Sequence, residues 1–320
     1  LKTPGNLNTE VGLPLTLLSL GPEHQVAVLE MGMYRAGDIA FLCAIARPQV
    51  GVVTAVGPSH LERLGSLEAI ANTKAELVES LPESGTAVLN ADDPIVSAFD
   101  SRTRARVIKY GWLQPADVSA LRVRMRGLLG TDLWVRAGND NRRLRLGLAG
   151  RPGLYAALAA AAVGRVFGLD WGEVGRGLVK VSVDQRLAVR PGIGGRRVLD
   201  DSYNSSPASL AGALELLGQL PGRRVAILGD MLELGPIEAE AHREAGRLAA
   251  HVVNVLITVG ERAALMAEAA RAAGLSAVYP TSDPAEAAAI ARAETRPGDW
   301  ILVKASRGLR LERAVELLVG

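Results

Sequence analysis

The chain has 320 residues, enough to bury cores in two domains, and its apolar content of 48% is ordinary for a globular protein. Its 36 basic and 34 acidic residues nearly cancel to +2, which removes any charge argument for a nucleic-acid or membrane partner. Cys43 is the sole cysteine, so no internal disulfide can form and a reducing compartment, the cytoplasm, is expected.

Most basic residues are arginines scattered along the chain, and lysine occurs only at Lys2, Lys74, Lys109, Lys180 and Lys304. The longest apolar stretch, Leu154 to Val163, is too short and too Ala-rich to span a bilayer. The first residues lack the basic-then-apolar pattern of a secretory leader. The chain starts at Leu1 in mid-pattern, so it reads as a fragment.

In chain order, Gln25 to Met31 and Gln49 to Val56 predict short buried strands. Ser66 to Leu81 has helical periodicity, with Ser66 as N-cap and Glu68 in the first turn. Thr86 to Asn90 and Arg106 to Gly111 predict further strands. From Leu121 to Leu148 apolar and polar residues alternate between Gly- and Asn-containing breaks, which predicts an antiparallel meander. A helix from about Leu154 to Phe167 follows. From about Asp184 the pattern is regular α/β. Strands are expected at 197–200, 224–228, 255–259, 277–279 and 300–303, with helices starting near Pro207, Pro236, Glu261, Asp283 and Leu309. Such spacing implies right-handed crossovers and a mostly parallel sheet covered on both faces. The domain boundary is expected near Val183.

In such sheets ligands sit beyond the carboxyl ends of the strands, so the residues that follow strands carry the information. Glu30 ends an apolar run beside Gly32 and suits a hard divalent cation, although local capping would look the same. His60 follows the next strand in Gly57-Pro58-Ser59-His60, where a surface role is equally open. Lys74 falls on the apolar face of its helix, with Leu67, Ile70, Ala71, Leu77, Val78 and Leu81. Desolvation there favours the neutral amine, which can take up carbon dioxide as a carbamate; snorkelling to solvent is the alternative. Asp200-Asp201-Ser202-Tyr203-Asn204 closes the first strand of the second domain, Gly229-Asp230 follows the next, and Lys304-Ala305-Ser306-Arg307 follows the last. Polar groups after three strands of one sheet predict a ligand crevice. No Gly-Lys dipeptide occurs, so the pattern G-x-x-x-x-G-K-[ST] is absent, and neither zinc-type spacing nor a Ser-His-Asp set can be argued.

Together these segments resemble the Mur ligases. The resemblance covers essentially the whole chain and runs through Gly5-Asn6-Leu7-Asn8, Leu29-Glu30-Met31-Gly32, His60-Leu61-Glu62, Lys74-Ala75-Glu76, Asn90-Ala91-Asp92-Asp93, Asp200 to Asn204, Leu228 to Gly235, and Leu302 to Gly308. It implies an α/β architecture: a central ATPase domain, N-terminally truncated here at 1–183, with a mixed sheet and an antiparallel meander. A doubly wound, Rossmann-like C-terminal domain would occupy 184–320. Within the family the chain looks most like the branch that joins D-alanyl-D-alanine to UDP-N-acetylmuramoyl-tripeptide during peptidoglycan synthesis. That implies ATP-driven phosphorylation of the peptide carboxylate and attack by the dipeptide amine on the acyl phosphate. Both steps build negative charge, so cations are the expected catalysts.

By resemblance, Glu30 and His60 would hold Mg²⁺ and Lys74, as a carbamate, would support a second metal. Arg186, Asp201 and Asn90 would contact the nucleotide. Asn204, Lys304 and Ser306 would receive the dipeptide, and Asn6 and Asn8 would lie near the UDP-sugar. A monomer is expected, with no nucleic-acid partner and no membrane insertion. Two departures stand out. The phosphate-binding loop that precedes the Thr3–Asn8 segment in the family is not in this sequence. The family's Gly-x-His-Asn-x-x-Asn also reads Gly150-Arg151-Pro152-Gly153-Leu154-Tyr155-Ala156, losing the residues toward adenine; a milder change puts Asn204-Ser205-Ser206-Pro207 where Asn-Ala-Asn-Pro is usual. Two other readings follow from this. A related ligase with another acceptor, of folylpolyglutamate or cyanophycin type, is opposed by the Asp-Asp-Ser-Tyr-Asn stretch. A non-catalytic binding module that has lost nucleotide contacts is favoured by the missing His-Asn pair and opposed by retention of Glu30, His60 and Lys74.

Overall fold

The computed structural model describes residues 1–58, 61–179, 181 and 186–320. The chain forms two compact units. Leu1–Arg122, Trp134–Arg143 and Tyr155–Val174 make one, and Val123–Leu133, Leu144–Leu154 and Gly175–Gly320 make the other.

The first sheet contains β1 (Val50–Val53), β2 (Thr86–Asn90), β3 (Arg106–Gly111), β4 (Val118–Met125), β5 (Thr131–Ala137) and β6 (Asp140–Leu146), side by side in chain order. β1, β2, β3 and β4 pair in parallel. Only two residues, Gly138 and Asn139, join β5 to β6, a connection that antiparallel neighbours alone can accept. The expected meander is therefore present, starting at Val118 rather than Leu121. β2 is buried along its length, as Thr86, Ala87, Val88, Leu89 and Asn90 require in a sheet covered on both faces. Helix Leu67–Glu79 packs its Ala71, Ala75 and Val78 against Val53, Ala87 and Leu89 in one core cluster. It starts where the sequence predicts, with Ser66 Oγ accepting the Ala69 N–H at 3.0 Å.

One expected strand does not form. Within Gln25 to Met31 only Val28 pairs, through a single parallel bridge to Lys2, and Val26 and Val28 are 41% and 65% exposed. The run is held along one edge by backbone bonds to Leu1 and Thr3. Among the described residues nothing pairs along its other edge, so no ladder extends and no apolar face is covered. The Ala-rich helix, expected from Leu154, spans Gly150–Val166 and so begins on the sequence where the family's adenine loop would stand.

The second sheet has the order β11 (Val278–Thr281), β10 (Val255–Val259), β9 (Arg224–Gly229), β12 (Trp300–Lys304), β8 (Arg196–Asp201) and β7 (Ala188–Gly192). Five strands run parallel, as the alternation with helices predicts. β7 is an antiparallel edge strand that sequence reading missed. Its Arg-Pro-Gly content hides it, yet an edge tolerates proline because one side of the strand needs no ladder. Side chains alternate between two cores: Ala226 and Leu228 of β9 join one cluster, and Val225 and Ile227 the other. Helices Pro207–Gly218, Glu238–Val252 and Ala264–Ala272 cover the first face, and Pro284–Glu294 and Glu312–Val319 the second. The chain winds outward from β9 to β11 and returns to β12, so the topological switch lies between β9 and β12. That is where an open parallel sheet leaves a crevice at its carboxyl edge.

Candidate functional site

In the first unit the motif residues gather around two segments. Glu30 Oε1 accepts a hydrogen bond from Asn8 Nδ2 at 3.0 Å, and its backbone N–H is held by Thr3 Oγ1 at 2.8 Å. The Gly32 N–H donates to the Asn8 carbonyl at 2.7 Å, and a Cβ on Gly32 would come 3.1 Å from the Asn8 side chain. The glycine therefore lets the Asn8 and Glu30 segments close on each other. Asn6 lies in the exposed turn just before, where its carbonyl accepts the Asn8 N–H at 2.8 Å.

The second segment follows β1. Lys74 Nζ donates to the Ala55 carbonyl at 2.7 Å, Asn90 Nδ2 to the Thr54 carbonyl at 2.9 Å, and Asp93 Oδ2 accepts the Val56 N–H at 2.8 Å. Three side chains thus fix three consecutive residues leading toward His60, which itself lies outside the described residues. Burial pulls the Lys74 ammonium below its ordinary value, opposed by the nearby negative charge of Asp93. The Lys74 neighbour Glu76 is structural: it accepts the Gly37 N–H at 2.7 Å and the Ala40 N–H at 3.0 Å, at the start of helix Asp38–Ala46.

Asp92 was not singled out from the sequence, yet it has the densest set of donors. It accepts the N–H groups of Trp112 at 2.6 Å, Leu113 at 3.0 Å and Gln114 at 2.7 Å, and the Tyr155 hydroxyl at 2.8 Å. Burial works to raise its pKa, but these donors outweigh burial and hold the carboxyl below its ordinary value. Tyr155 belongs to the altered stretch Gly150 to Ala156, and its hydroxyl shares this carboxylate with the loop after β3.

In the second unit, β8, β9 and β12 deliver polar groups to one edge. Parallel register places Lys304 beside Asp201, and Nζ donates to Asp201 Oδ2 at 2.5 Å and to the Asn204 carbonyl at 2.8 Å. Burial pushes the Asp201 carboxyl up and pulls the Lys304 ammonium down, each opposed by the charge of the other. Asp200 points to the opposite side of the strand, where Ser202 Oγ donates to it at 2.6 Å and Arg190 lies 3.6 Å away.

Ser306 fastens two loops. Its N–H donates to the Asp230 carbonyl at 3.0 Å, its Oγ accepts the Leu232 N–H at 2.9 Å and donates to the Ser205 carbonyl at 3.3 Å. The loop after β9 is pinned further: Asp230 Oδ1 accepts the Ala263 N–H at 2.7 Å, and the buried His242 accepts the Met231 N–H through Nε2 at 3.0 Å. His242 Nδ1 then donates to the Glu238 carbonyl at 2.7 Å, which requires the neutral Nδ1–H ring. The Ser205 hydroxyl, present where the family has alanine, is buried without a hydrogen-bond partner among the described residues. Arg186 and Arg307 both lie over the Tyr203 ring, 4.9 and 5.0 Å from its centroid. Asn204 is exposed beside them.

Polar groups that follow β8, β9 and β12 therefore gather at this edge, with Lys304 bonded to Asp201 and Ser306 to the Ser205 and Asp230 backbone. Sequence reading missed Tyr203 as the ring shared by two guanidiniums, and His242, because a lone helical histidine gives no signal without its loop partner. No group of three or more His, Cys, Asp or Glu arranged for a metal occurs among the described residues. No described helix is long and apolar enough to cross a membrane.

A two-unit α/β chain, with a doubly wound sheet that collects acid, amine and hydroxyl groups at its switch point, defines a ligand-binding α/β enzyme class. Comparison with known proteins then fixes the family. Residues 1–164 match the Mur ligase middle domain, and residues 185–307 match the Mur ligase glutamate ligase domain. This chain belongs to the Mur ligase family. It is 36% identical to the UDP-N-acetylmuramoyl-tripeptide–D-alanyl-D-alanine ligase of Mycobacterium leprae, over 99% of this chain and 68% of that protein. A crystal structure of MurF from Acinetobacter baumannii superposes with a TM-score of 0.89 at 27% identity, over 99% of this chain and 69% of the other. MurF from Thermotoga maritima, solved in complex with ADP, gives a TM-score of 0.86 at 31% identity over 99% and 72%. The chain thus spans about two-thirds of the length of these relatives.

Proposed function

We propose that this chain carries the ATP-using and acceptor-binding parts of a ligase that joins D-alanyl-D-alanine to UDP-N-acetylmuramoyl-tripeptide in the cytoplasm. The observation that carries the reading is the similarity to such ligases across 99% of the chain, together with the Asp201, Lys304 and Ser306 side chains gathered near the switch point. The domain boundary expected between residues 183 and 184 lies outside the described residues, and the protein is read as a monomer. ATP phosphorylates the tripeptide carboxylate, the dipeptide amine attacks the acyl phosphate, and phosphate leaves.

In this reading the second unit binds and orients. There Lys304, Ser306 and Asn204 are assigned to the dipeptide and Arg186 and Asp201 to the nucleotide; within the first unit Asn90 is assigned to the nucleotide. Asn6 and Asn8 lie toward the UDP-sugar. The donor chemistry suits Mg²⁺: Glu30 is a hard oxygen ligand whose Oε1 is steadied by Asn8, and burial lowers the pKa of the Lys74 amine. Glu30 and His60 would hold Mg²⁺ and carbamoylated Lys74 would support a second metal; such cations would neutralise charge developing on the transferring phosphoryl group. The Lys74 amine is held by the Ala55 carbonyl at 2.7 Å.

The alternative, a binding module without turnover, is favoured by the altered Gly150 to Ala156 stretch. One assay separates the two. The protein, expressed from its complete reading frame, is incubated with ATP, Mg²⁺, UDP-N-acetylmuramoyl-tripeptide and D-alanyl-D-alanine, and products are read by mass spectrometry. A nucleotide-linked pentapeptide is expected, formed with one ADP per product. Binding of the nucleotide without any product would establish the binding-module reading instead.

A further inference from the structure

Around Tyr203 the charges do not balance. Among the described residues, Lys304, Arg186 and Arg307 stand there with one carboxylate, Asp201, while Asp200 and Asp230 have their own partners in Arg190 and Arg262. Lys304 cannot serve as the main receptor for a further anion. It is only 2% exposed, and Nζ is already committed to Asp201 Oδ2 and the Asn204 carbonyl. The two guanidiniums are exposed and form no ion pair among the described residues. Both stack on the same ring, and stacking leaves a guanidinium's in-plane N–H groups free to bind an anion.

The dipeptide offers one group that fits. D-alanyl-D-alanine carries an amine, two methyl groups, an amide and a carboxylate. Its amine must stay unprotonated and free to attack, and its methyl groups offer no charge. The terminal carboxylate is the only handle for a cation, and a planar fork of N–H donors grips a carboxylate at two points. Arg307 immediately follows Ser306 at the carboxyl end of β12, the position from which such a grip reaches the crevice.

We propose that Arg307, braced on Tyr203, is the residue that recognises the terminal carboxylate of the acceptor dipeptide. This rests on reading the Lys304–Ser306 crevice as the acceptor site. Arg186 shares the ring, so one aromatic side chain supports both cations. Selectivity for a free carboxyl terminus follows from Arg307 rather than from Lys304.

The test uses the protein from its complete reading frame, with ATP and UDP-N-acetylmuramoyl-tripeptide saturating. D-alanyl-D-alanine is compared with D-alanyl-D-alaninamide, which has no carboxylate. The unmodified protein should show a KM about 10- to 100-fold higher for the amide. Arg307→Gln should raise the KM for the dipeptide to that of the amide, with kcat and the KM for ATP little changed, and Arg307→Lys should recover part of the preference. Equal KM values for the two acceptors in the unmodified protein would overturn the inference, as would Arg307→Gln retaining the preference or raising the KM for ATP instead. In each of those outcomes the acceptor reading survives. Absence of any pentapeptide product would overturn that reading and this inference together.

Discussion

Lys304 and Asp201 lie side by side on neighbouring parallel strands, and the ammonium meets the carboxylate at 2.5 Å with both side chains buried. Such a pair gains little over an apolar substitute, because desolvating two charges offsets most of their attraction. Leaving one partner alone is costly. Lys304→Met should lower stability by about 3–5 kcal/mol, and adding Asp201→Asn to it should restore much of that loss. Urea unfolding of the two single variants and the double variant measures this. Equal destabilisation by the single and double changes would show that the pair is not the source of the effect.

Asp92 should leave a mark on the acid side of the stability profile. Its folded-state pKa lies below the ordinary value of 3.8, so the carboxylate form is favoured by folding. The stabilisation is then fully present above about 3.8 and is lost as pH falls through the depressed value. Asp92→Asn should flatten that part of the profile, with the backbone donors of Trp112, Leu113 and Gln114 left facing a weaker acceptor. Chemical unfolding of both proteins at a series of pH values from 7 down to about 2.5 tests the sign. A decline of the same steepness in both proteins would assign the acid limb to other groups.

The features legible in the amino-acid sequence have one thing in common: each depends on neighbours close along the chain. Ser66 and its helix, the parallel strands of the second unit and the place of Asp201, Asp230 and Lys304 at strand ends follow from period and capping. What stayed hidden depends on contacts distant in sequence. Asp92 meets Tyr155 across 63 residues, and Lys304 meets Asp201 across 103. The run ending at Glu30 failed in the opposite way. Its apolar pattern is that of a strand, but a strand needs neighbours on its edges, and among the described residues only Lys2 provides one. Asp93 shows the same limit, since its cap on Ile95 is visible locally while its bond to Val56 is not.

Gly246 provides a test where ordinary helix propensity gives the wrong sign. In an exposed helix, Gly→Ala stabilises by about 0.5–1 kcal/mol, since glycine loses more chain entropy. Here helix Glu238–Val252 packs so closely on Ala264–Ala272 that a Cβ on Gly246 would overlap the Met266 carbonyl oxygen and lie 2.8 Å from its Cα. That atom is backbone and cannot rotate away. Gly246→Ala should therefore destabilise by about 1–3 kcal/mol, the cost of overpacking, in thermal or urea unfolding. A more stable variant would mean that the two helices can separate without loss.

The sharpest test of the first unit concerns Lys74. A surface lysine that merely hydrogen-bonds Ala55 would be replaceable, because an exposed bond of that kind contributes about 1 kcal/mol. A lysine whose carbamate supports a metal is not replaceable, since charge stabilisation by a metal is worth several kcal/mol and each 1.4 kcal/mol is about tenfold in rate. Lys74→Ala in the complete protein should thus reduce turnover by more than about 100-fold. The two roles separate further under rescue. Formate or acetate can occupy the vacated space and supply carboxylate oxygens, restoring part of the rate in Lys74→Ala and nothing in the unmodified protein. Carbon dioxide dependence provides the complementary check, because carbamate formation consumes a neutral amine and burial favours that form at Lys74. Turnover in Lys74→Ala close to that of the unmodified protein, or rescue by ammonium compounds and not by carboxylates, would return Lys74 to a purely structural role.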